Sequence, residues 1–113
     1  MGNLWVNVLL ILTLGVLLWT WDAAGDEYTQ GKELFEEKCQ ICHGADGKGD
    51  GPAAAALTPR PRDFTNPQFW QGDVDKKITK MIRNGKAPMP AFQLTESEIQ
   101  SIIAYLKGAF VKR

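Results

Sequence analysis

Two cysteines and the only histidine of this 113-residue chain lie within five consecutive residues, Cys39-Gln40-Ile41-Cys42-His43. Cysteines three positions apart near the end of a helix project to one side. A histidine directly after them completes the C-x-x-C-H pattern, which is typical of covalent haem attachment. The pattern therefore predicts one haem c, bound through thioethers to Cys39 and Cys42, with His43 as an axial ligand of the iron.

Other uses of two cysteines and a histidine fit this sequence less well. A thioredoxin-like redox pair belongs in a βαβ unit, and no segment has the clean alternation of a strand. A zinc site would need a fourth ligand, and the adjacent Cys42 and His43 are poorly placed to share one tetrahedral ion. A buried pair of structural thiols is the third alternative.

The opposite side of the iron needs another ligand, and methionine is a usual partner of histidine at haem. Met81 lies on the apolar face of a predicted helix, where a thioether most simply fills the core. Met89 lies between Pro88 and Pro90, which should keep this segment extended and rigid. The sequence therefore favours Met89 and, with it, electron transfer over oxygen chemistry. An open haem held by His43 alone is the alternative.

The first 21 residues contain no charged side chain, although the chain has 13 basic and 13 acidic residues. As a helix, the apolar residues 4–21 would span about 27 Å, close to the hydrocarbon thickness of a bilayer. No Lys or Arg precedes them and the cleavage site that follows is weak, so we expect a membrane anchor in residues 1–25. A cleaved signal peptide is the alternative. Lys and Arg residues next to a membrane helix tend to stay on the cytoplasmic side, so the lysines after the apolar run weakly disfavour export of the C-terminal part.

Residues 26–113 are expected to form one small domain, whose own core buries too little surface to be stable without help. Three segments repeat apolar residues every three or four positions, as amphipathic helices do: residues 26–42, 73–84 and the stretch between Thr95 and Gly108. Residues 44–67 are rich in Gly and Pro and predict loops, with one or two helical turns over 52–57. We therefore expect an all-α fold of three main helices, preceded by a single N-terminal helix.

Residues at the helix ends agree with the apolar spacing. Asp73 can cap the second helix and Gly85 can close it. Thr95 and Glu98 form a capping box at the start of the last helix, and Gly108 stands just beyond its expected end.

Over residues 26–113 the chain resembles the bacterial class I mono-haem cytochromes c. The cysteine motif followed by Asp46-Gly47-Lys48-Gly49-Asp50-Gly51-Pro52 is similar to many members, and Gly85-Lys86-Ala87-Pro88-Met89-Pro90-Ala91-Phe92 is similar to their methionine-ligand loop. Gly31, Phe35 and Tyr105 correspond to the family's crossing of the first and last helices. The resemblance implies a small cytochrome c fold around one covalent haem, His43 and Met89 as ligands, and electron transfer without enzymatic activity. It also implies haem attachment outside the cytoplasm. We give this implication more weight than the lysines after the apolar run, which weakly disfavour export.

The resemblance suggests further haem contacts. In this family a proline carbonyl after the motif accepts the hydrogen of the ligand imidazole, and Pro52 is the candidate. Arg60, Arg62 and Trp70 are candidates for holding the haem propionates. The alternative, to which we give equal weight, is that the two arginines are solvated surface charges and that Trp70 belongs to the core.

Charge is segregated along the chain, although the basic and acidic residues balance. Residues 22–37 carry six acids and one base, whereas residues 76–86 carry five bases and no acid. The zero net charge argues against a nucleic-acid partner. The basic stretch Lys76–Lys86 leads into the Met89 loop and predicts docking of acidic redox proteins there. A solvated helix face is the alternative.

Together these features predict a membrane-anchored electron carrier, whose haem domain lies on the periplasmic or an equivalent extracytoplasmic side. After cleavage of residues 1–25 it would be a soluble periplasmic protein. A haem subunit of a larger respiratory or dehydrogenase complex would have the same sequence features. An open-haem ligand-binding protein or peroxidase is the third alternative.

Overall fold

A computed structural model describes residues 3–8 and 23–111 of the chain. The helices of residues 23–111 are α1 (Ala23–Lys38), α2 (Gln40–His43), α3 (Val74–Asn84) and α4 (Glu96–Phe110), with 3₁₀ turns at Ala54–Ala56 and Pro67–Trp70. The described residues contain no strand, only one isolated antiparallel bridge. The prediction of an all-α fold is confirmed for them.

The predicted N-terminal anchor lies mostly outside the described ranges, because residues 9–22 do not belong to them. Residues 4–8 are helical and exposed. Within the part of the chain that is described, no helix combines the length and the apolar character needed to cross a membrane. The division into a segment 1–25 and a domain 26–113 stays a prediction.

The core lies where α1 and α4 cross at close range. A β-carbon at Gly31 of α1 would overlap the Ser101 carbonyl and would lie 2.9 Å from the β-carbon of Tyr105. The hydroxyl of Ser101, which is buried, donates a hydrogen bond to the side-chain oxygen of Gln30 at 2.8 Å. The crossing is therefore tight and its buried polar group is paired.

An aromatic cluster extends the core from this crossing. Phe35 is fully buried, and its ring centroid lies 5.3 Å from that of Tyr105 and 5.6 Å from that of Phe110. Aliphatic side chains of α3 and α4 complete the core: Val74, Ile78, Ile82, Ile99, Ile102, Ile103 and Leu106. Each such buried side chain contributes about 1.5–3 kcal/mol relative to exposure.

The first predicted helix, over 26–42, is interrupted at Cys39. α1 ends at Lys38 and α2 begins at Gln40. The amides of both Cys42 and His43 donate to the carbonyl of Cys39, at 3.2 and 2.9 Å, so the chain turns more tightly there than an α-helix. Apolar spacing does not reveal such a turn, because the periodicity continues through it.

The last helix continues past Gly108, where the sequence predicted its end. It reaches Phe110, whose buried ring packs on Phe35. Gly108 also leaves room for Tyr28, because a β-carbon at Gly108 would lie 2.7 Å from that ring. Glycine inside a helix costs about 1 kcal/mol relative to alanine, and burial of Phe110 offsets this cost.

The other helix ends agree with the predictions. The carboxylate of Asp73 accepts a hydrogen bond from the first turn of α3, and Gly85 ends that helix with a φ of +64°. Thr95 and Glu98 form the predicted capping box. Hydrogen bonds from the backbone and then the side chain of Thr95 lower the pKa of the Glu98 carboxyl. The stability that the capping box contributes is therefore fully present above the ordinary pKa of glutamate. It is lost as the pH falls through the lowered pKa of Glu98.

Substitution of Gly31 by alanine should destabilise the helix crossing. Because the new β-carbon would meet backbone of α4, we expect Gly31→Ala to lower the free energy of unfolding by about 1–3 kcal/mol. Glu33→Ala is the control in the same helix, since Glu33 is exposed, makes no ion pair among the described residues and lies outside the segment 1–25. Denaturant titration of the holo-protein measures both values, and equal stabilities of the two variants would contradict the tight crossing.

Candidate haem-binding site

A cavity of about 750 Å³ opens beside the C-x-x-C-H turn. Its wall includes Cys39, Cys42, His43 and Met89, which α2 and the loop after α3 bring together. Most of the remaining lining is apolar: Phe35, Leu57, Phe64, Phe69, Ile78, Ile82, Phe92, Ile102 and Leu106. Pockets for cofactors have volumes of roughly 300–1,000 Å³ and mainly apolar walls. The residues present therefore fit a covalently attached haem.

Both cysteines are free and half-buried at the cavity wall. Burial raises the pKa of the Cys39 thiol to about 11, although the neighbouring Lys38 charge opposes the rise. A redox nucleophile or a zinc ligand must be a thiolate, which this environment disfavours at neutral pH. In the described residues no group of three or more His, Cys, Asp and Glu side chains is arranged to hold a metal ion. The thioredoxin-like and zinc alternatives thus gain no support.

His43 stands at the end of α2, where Gly44 stops the helix with a φ of +81°. Its Nδ1 atom lies 3.2 Å from the carbonyl oxygen of Arg62. Since a carbonyl only accepts, Nδ1 carries the hydrogen and Nε2 is left as the metal-binding atom. Burial lowers the pKa of His43, against the opposing effect of the Arg62 hydrogen bond. The imidazole is thus favoured in the neutral form that binds iron.

Arg62, not Pro52, supplies the carbonyl for His43, so the prediction for Pro52 is wrong. Pro52 is exposed and does not line the cavity. The glycine-rich loop after the motif turns so sharply that residues 61–62 return beside it. A β-carbon at Gly49 would overlap the Pro61 carbonyl, and Gly49 itself has a φ of +75°. Arg62 accepts the hydrogen bond of His43 because the chain folds back to the motif at this point, and spacing along the chain does not predict that contact.

Of the three candidates for propionate contacts, Arg60 and Arg62 line the cavity and Trp70 does not. The indole N–H of Trp70 donates to the carbonyl of Phe64 at 2.8 Å. Because this N–H is the only donor of a tryptophan side chain, the structure favours the alternative of a core tryptophan over a propionate contact. The cavity wall carries five basic side chains and no acidic one: Lys38, Arg60, Arg62, Lys77 and Lys86.

The Met89 loop makes a tight turn, whereas the flanking prolines predicted an extended segment. Lys86 and Met89 exchange backbone hydrogen bonds of 3.0 and 2.8 Å. The amide of Phe92 donates to the carbonyl of Ile82 at 2.8 Å and fastens the loop to α3. A β-carbon at Gly85 would lie 2.9 Å from the Met89 carbonyl oxygen, so the loop folds back closely on the helix end. The half-buried Met89 side chain is thereby held at the cavity wall.

Met81 also lines the cavity, and 37% of this residue is exposed. The prediction that it only fills the core is therefore wrong. α3 carries it at the mouth of the site, because the buried face of this helix is formed by Val74, Ile78 and Ile82 instead. Two methionines thus have access to the same space.

The sequence pattern did not indicate Phe64, although it contacts His43. Its ring stacks on that of His43, with centroids 4.6 Å apart and planes inclined by 15°. Phe64 belongs to a loop without periodicity, so no spacing marks it. The only signal was an aromatic residue within a polar, proline-rich stretch.

Removal of both cysteines should abolish haem attachment and with it most of the fold. In Cys39→Ser/Cys42→Ser protein, the apolar walls would be left open to water and the small core would stay incomplete. We expect a colourless product, with the mass of the polypeptide alone and most of the helical far-UV signal lost. Glu33→Ala protein, prepared in parallel, is the control for export and purification. A colourless double variant with native helicity and cooperative unfolding would show that the polypeptide core is sufficient.

Comparison with known proteins identifies the family. Residues 26–106 match the family described as cytochrome c oxidase, cbb3-type, subunit III. The chain is 29% identical over 85 residues to cytochrome c6 of Bryopsis maxima, which covers 73% of this chain and 91% of that protein. The chain therefore belongs to the cytochrome c family as a class I mono-haem member. Its cofactor is covalent haem c, and it is an electron carrier rather than an enzyme.

Proposed function

We propose that this member of the cytochrome c family binds its haem through Cys39 and Cys42 and holds the iron between His43 and Met89. The observation that carries the proposal is the single apolar cavity shared by these four side chains. When bound, haem c supplies an iron that alternates between the ferrous and ferric states.

The residues around the cavity hold both ligands in place. Arg62 orients the imidazole, and the turn from Lys86 to Met89, fastened to α3, holds the thioether. With His43 and Met89 held in this way, the gain or loss of an electron should require little reorganisation of the protein. The apolar walls exclude water and, with a methionine ligand, favour a raised reduction potential.

Arg60 and Arg62 are the residues that we propose for the haem propionates. Both residues line the cavity, and neither side chain has an ion-pair partner among the described residues. Arginine pairs with carboxylates through charge-assisted hydrogen bonds. Arg62 would then serve twice, through its backbone carbonyl towards His43 and through its side chain towards a carboxylate.

The two methionines provide a direct test of the ligand. We expect Met89→Ala to abolish the sulfur-to-iron charge-transfer absorption of the ferric protein and to let the ferrous protein bind carbon monoxide rapidly. Met81→Ala is the matched control at the same cavity and should retain the absorption and exclude carbon monoxide. The reverse result would assign the ligand to Met81, and rapid carbon monoxide binding by the unmodified protein would favour the open-haem alternative.

We further propose that acidic redox proteins dock at the basic surface of α3 and the Met89 loop. Part of the basic stretch is already engaged, since Arg83 pairs with Glu96 of α4 and Lys77 donates to a backbone carbonyl. Three lysines of this stretch have neither an ion-pair partner nor a side-chain hydrogen bond among the described residues: Lys76, Lys80 and Lys86. Lys86 also lines the cavity, so the free charge lies beside the cofactor site.

Electron transfer to small charged oxidants should reveal this surface. We expect the double substitution Lys80→Gln/Lys86→Gln to slow oxidation by the anion hexacyanoferrate(III) several-fold at low salt, and added salt to reduce the difference. Lys48→Gln, an exposed charge in the loop after α2, is the control with the same type of substitution. Stopped-flow absorbance measures the rates. Equal slowing by Lys48→Gln would indicate an effect of net charge rather than of a docking surface.

For location, we propose that the haem domain lies outside the cytoplasm and is anchored by residues 4–21. The uncharged apolar run supports an anchor, and a cleaved signal peptide is the alternative. The intact mass of the purified protein distinguishes the two. The description of the matching family also supports a second candidate, a haem subunit of a larger respiratory complex. Co-purification with other subunits from native membranes would identify that case.

A further inference from the structure

The imidazole of His43 contacts two residues of one short segment, Arg62 and Phe64. The Arg62 carbonyl meets the edge of the ring at Nδ1, whereas Phe64 covers its face. One hydrogen bond directs Nδ1 but leaves the ring free to tilt and rock about that contact. A second ring lying nearly parallel, with 4.6 Å between centroids, restricts the plane itself.

Both the backbone and the ring of Phe64 are held by neighbouring residues. Its amide donates to the carbonyl of Gly47 at 2.7 Å, and its carbonyl accepts the indole N–H of Trp70 at 2.8 Å. The residue is only 7% exposed. Its ring also packs against the rings of Phe69 and Phe110, with centroids 5.0 and 6.2 Å away. The ring therefore cannot turn away from the histidine without disturbing the core.

We propose that Phe64 is a positioning residue, whose ring sets the orientation of the His43 imidazole plane. Trp70 assists by holding the Phe64 backbone, which gives it a role other than the predicted propionate contact. This inference rests on the proposed ligation of iron by His43. Because the plane of an axial imidazole determines how the unpaired electron of ferric iron spreads over the porphyrin, the orientation has a spectroscopic signature.

The test compares two substitutions that remove one ring each from the same aromatic cluster. Phe64→Leu removes the contact with His43, whereas Tyr105→Leu removes an equally buried ring that neither lines the cavity nor packs against Phe64. In ferric protein we expect Phe64→Leu to change the pattern of the paramagnetically shifted haem methyl resonances and the electron paramagnetic resonance g-values. Tyr105→Leu should preserve both, although both variants should be less stable. Unchanged spectra for Phe64→Leu, or equal changes in both variants, would overturn the proposal.

A measurement on the unmodified protein keeps the test independent of folding. In the diamagnetic ferrous state, nuclear Overhauser effects should connect the ring protons of Phe64 with those of His43, and their absence would overturn the proposal. Trp70→Phe, which removes the indole N–H but keeps an aromatic ring, should alter the ferric spectra in the same sense as Phe64→Leu but less. An unmodified protein without histidine-ligated low-spin haem would instead overturn the proposed function.

Discussion

The structure depends on an apolar space that the polypeptide surrounds but does not fill. The side chains of α1, α3 and α4 that face this space would be in contact with water without a cofactor. In a chain of this size the remaining core, centred on Phe35 and the crossing of α1 with α4, is small. Attachment through Cys39 and Cys42, as proposed, would therefore link stability to function, since the group that completes the core would also carry the electron.

Close approaches of backbone to backbone position the ligands around that space. Gly31 lets α1 and α4 cross, Gly49 lets the loop return to His43, and Gly85 lets the methionine loop fold back on α3. At each of these glycines a β-carbon would meet a backbone carbonyl, an obstacle that no change of rotamer removes. The three glycines thus permit the close contacts that place α1 against α4, the loop beside His43 and the Met89 loop against the end of α3.

Charge is organised around the same space, although the chain as a whole is neutral. The cavity wall carries only basic ionisable side chains apart from the cysteines and His43. Interhelical pairs such as Lys107 with Asp75, at 2.6 Å, neutralise other charges of α3 and α4. Such exposed pairs contribute little to stability, but they leave the free positive charge concentrated near the cofactor site. The distribution suits an anionic group inside the cavity and anionic partners outside it.

Local patterns in the sequence determined the cofactor chemistry, the three main helices and the capping box at Thr95, because each depends on neighbours within about four residues. Tertiary packing decided the rest. Gly108 signalled a helix end, yet burial of Phe110 carries α4 through it. Arg62 rather than Pro52 accepts the histidine hydrogen, and Phe64 covers the imidazole, because a loop without periodicity returns to the motif through contacts about 20 residues apart in the chain. Such contacts arise from shape and backbone pairing in three dimensions, and residue types along the chain do not encode them locally.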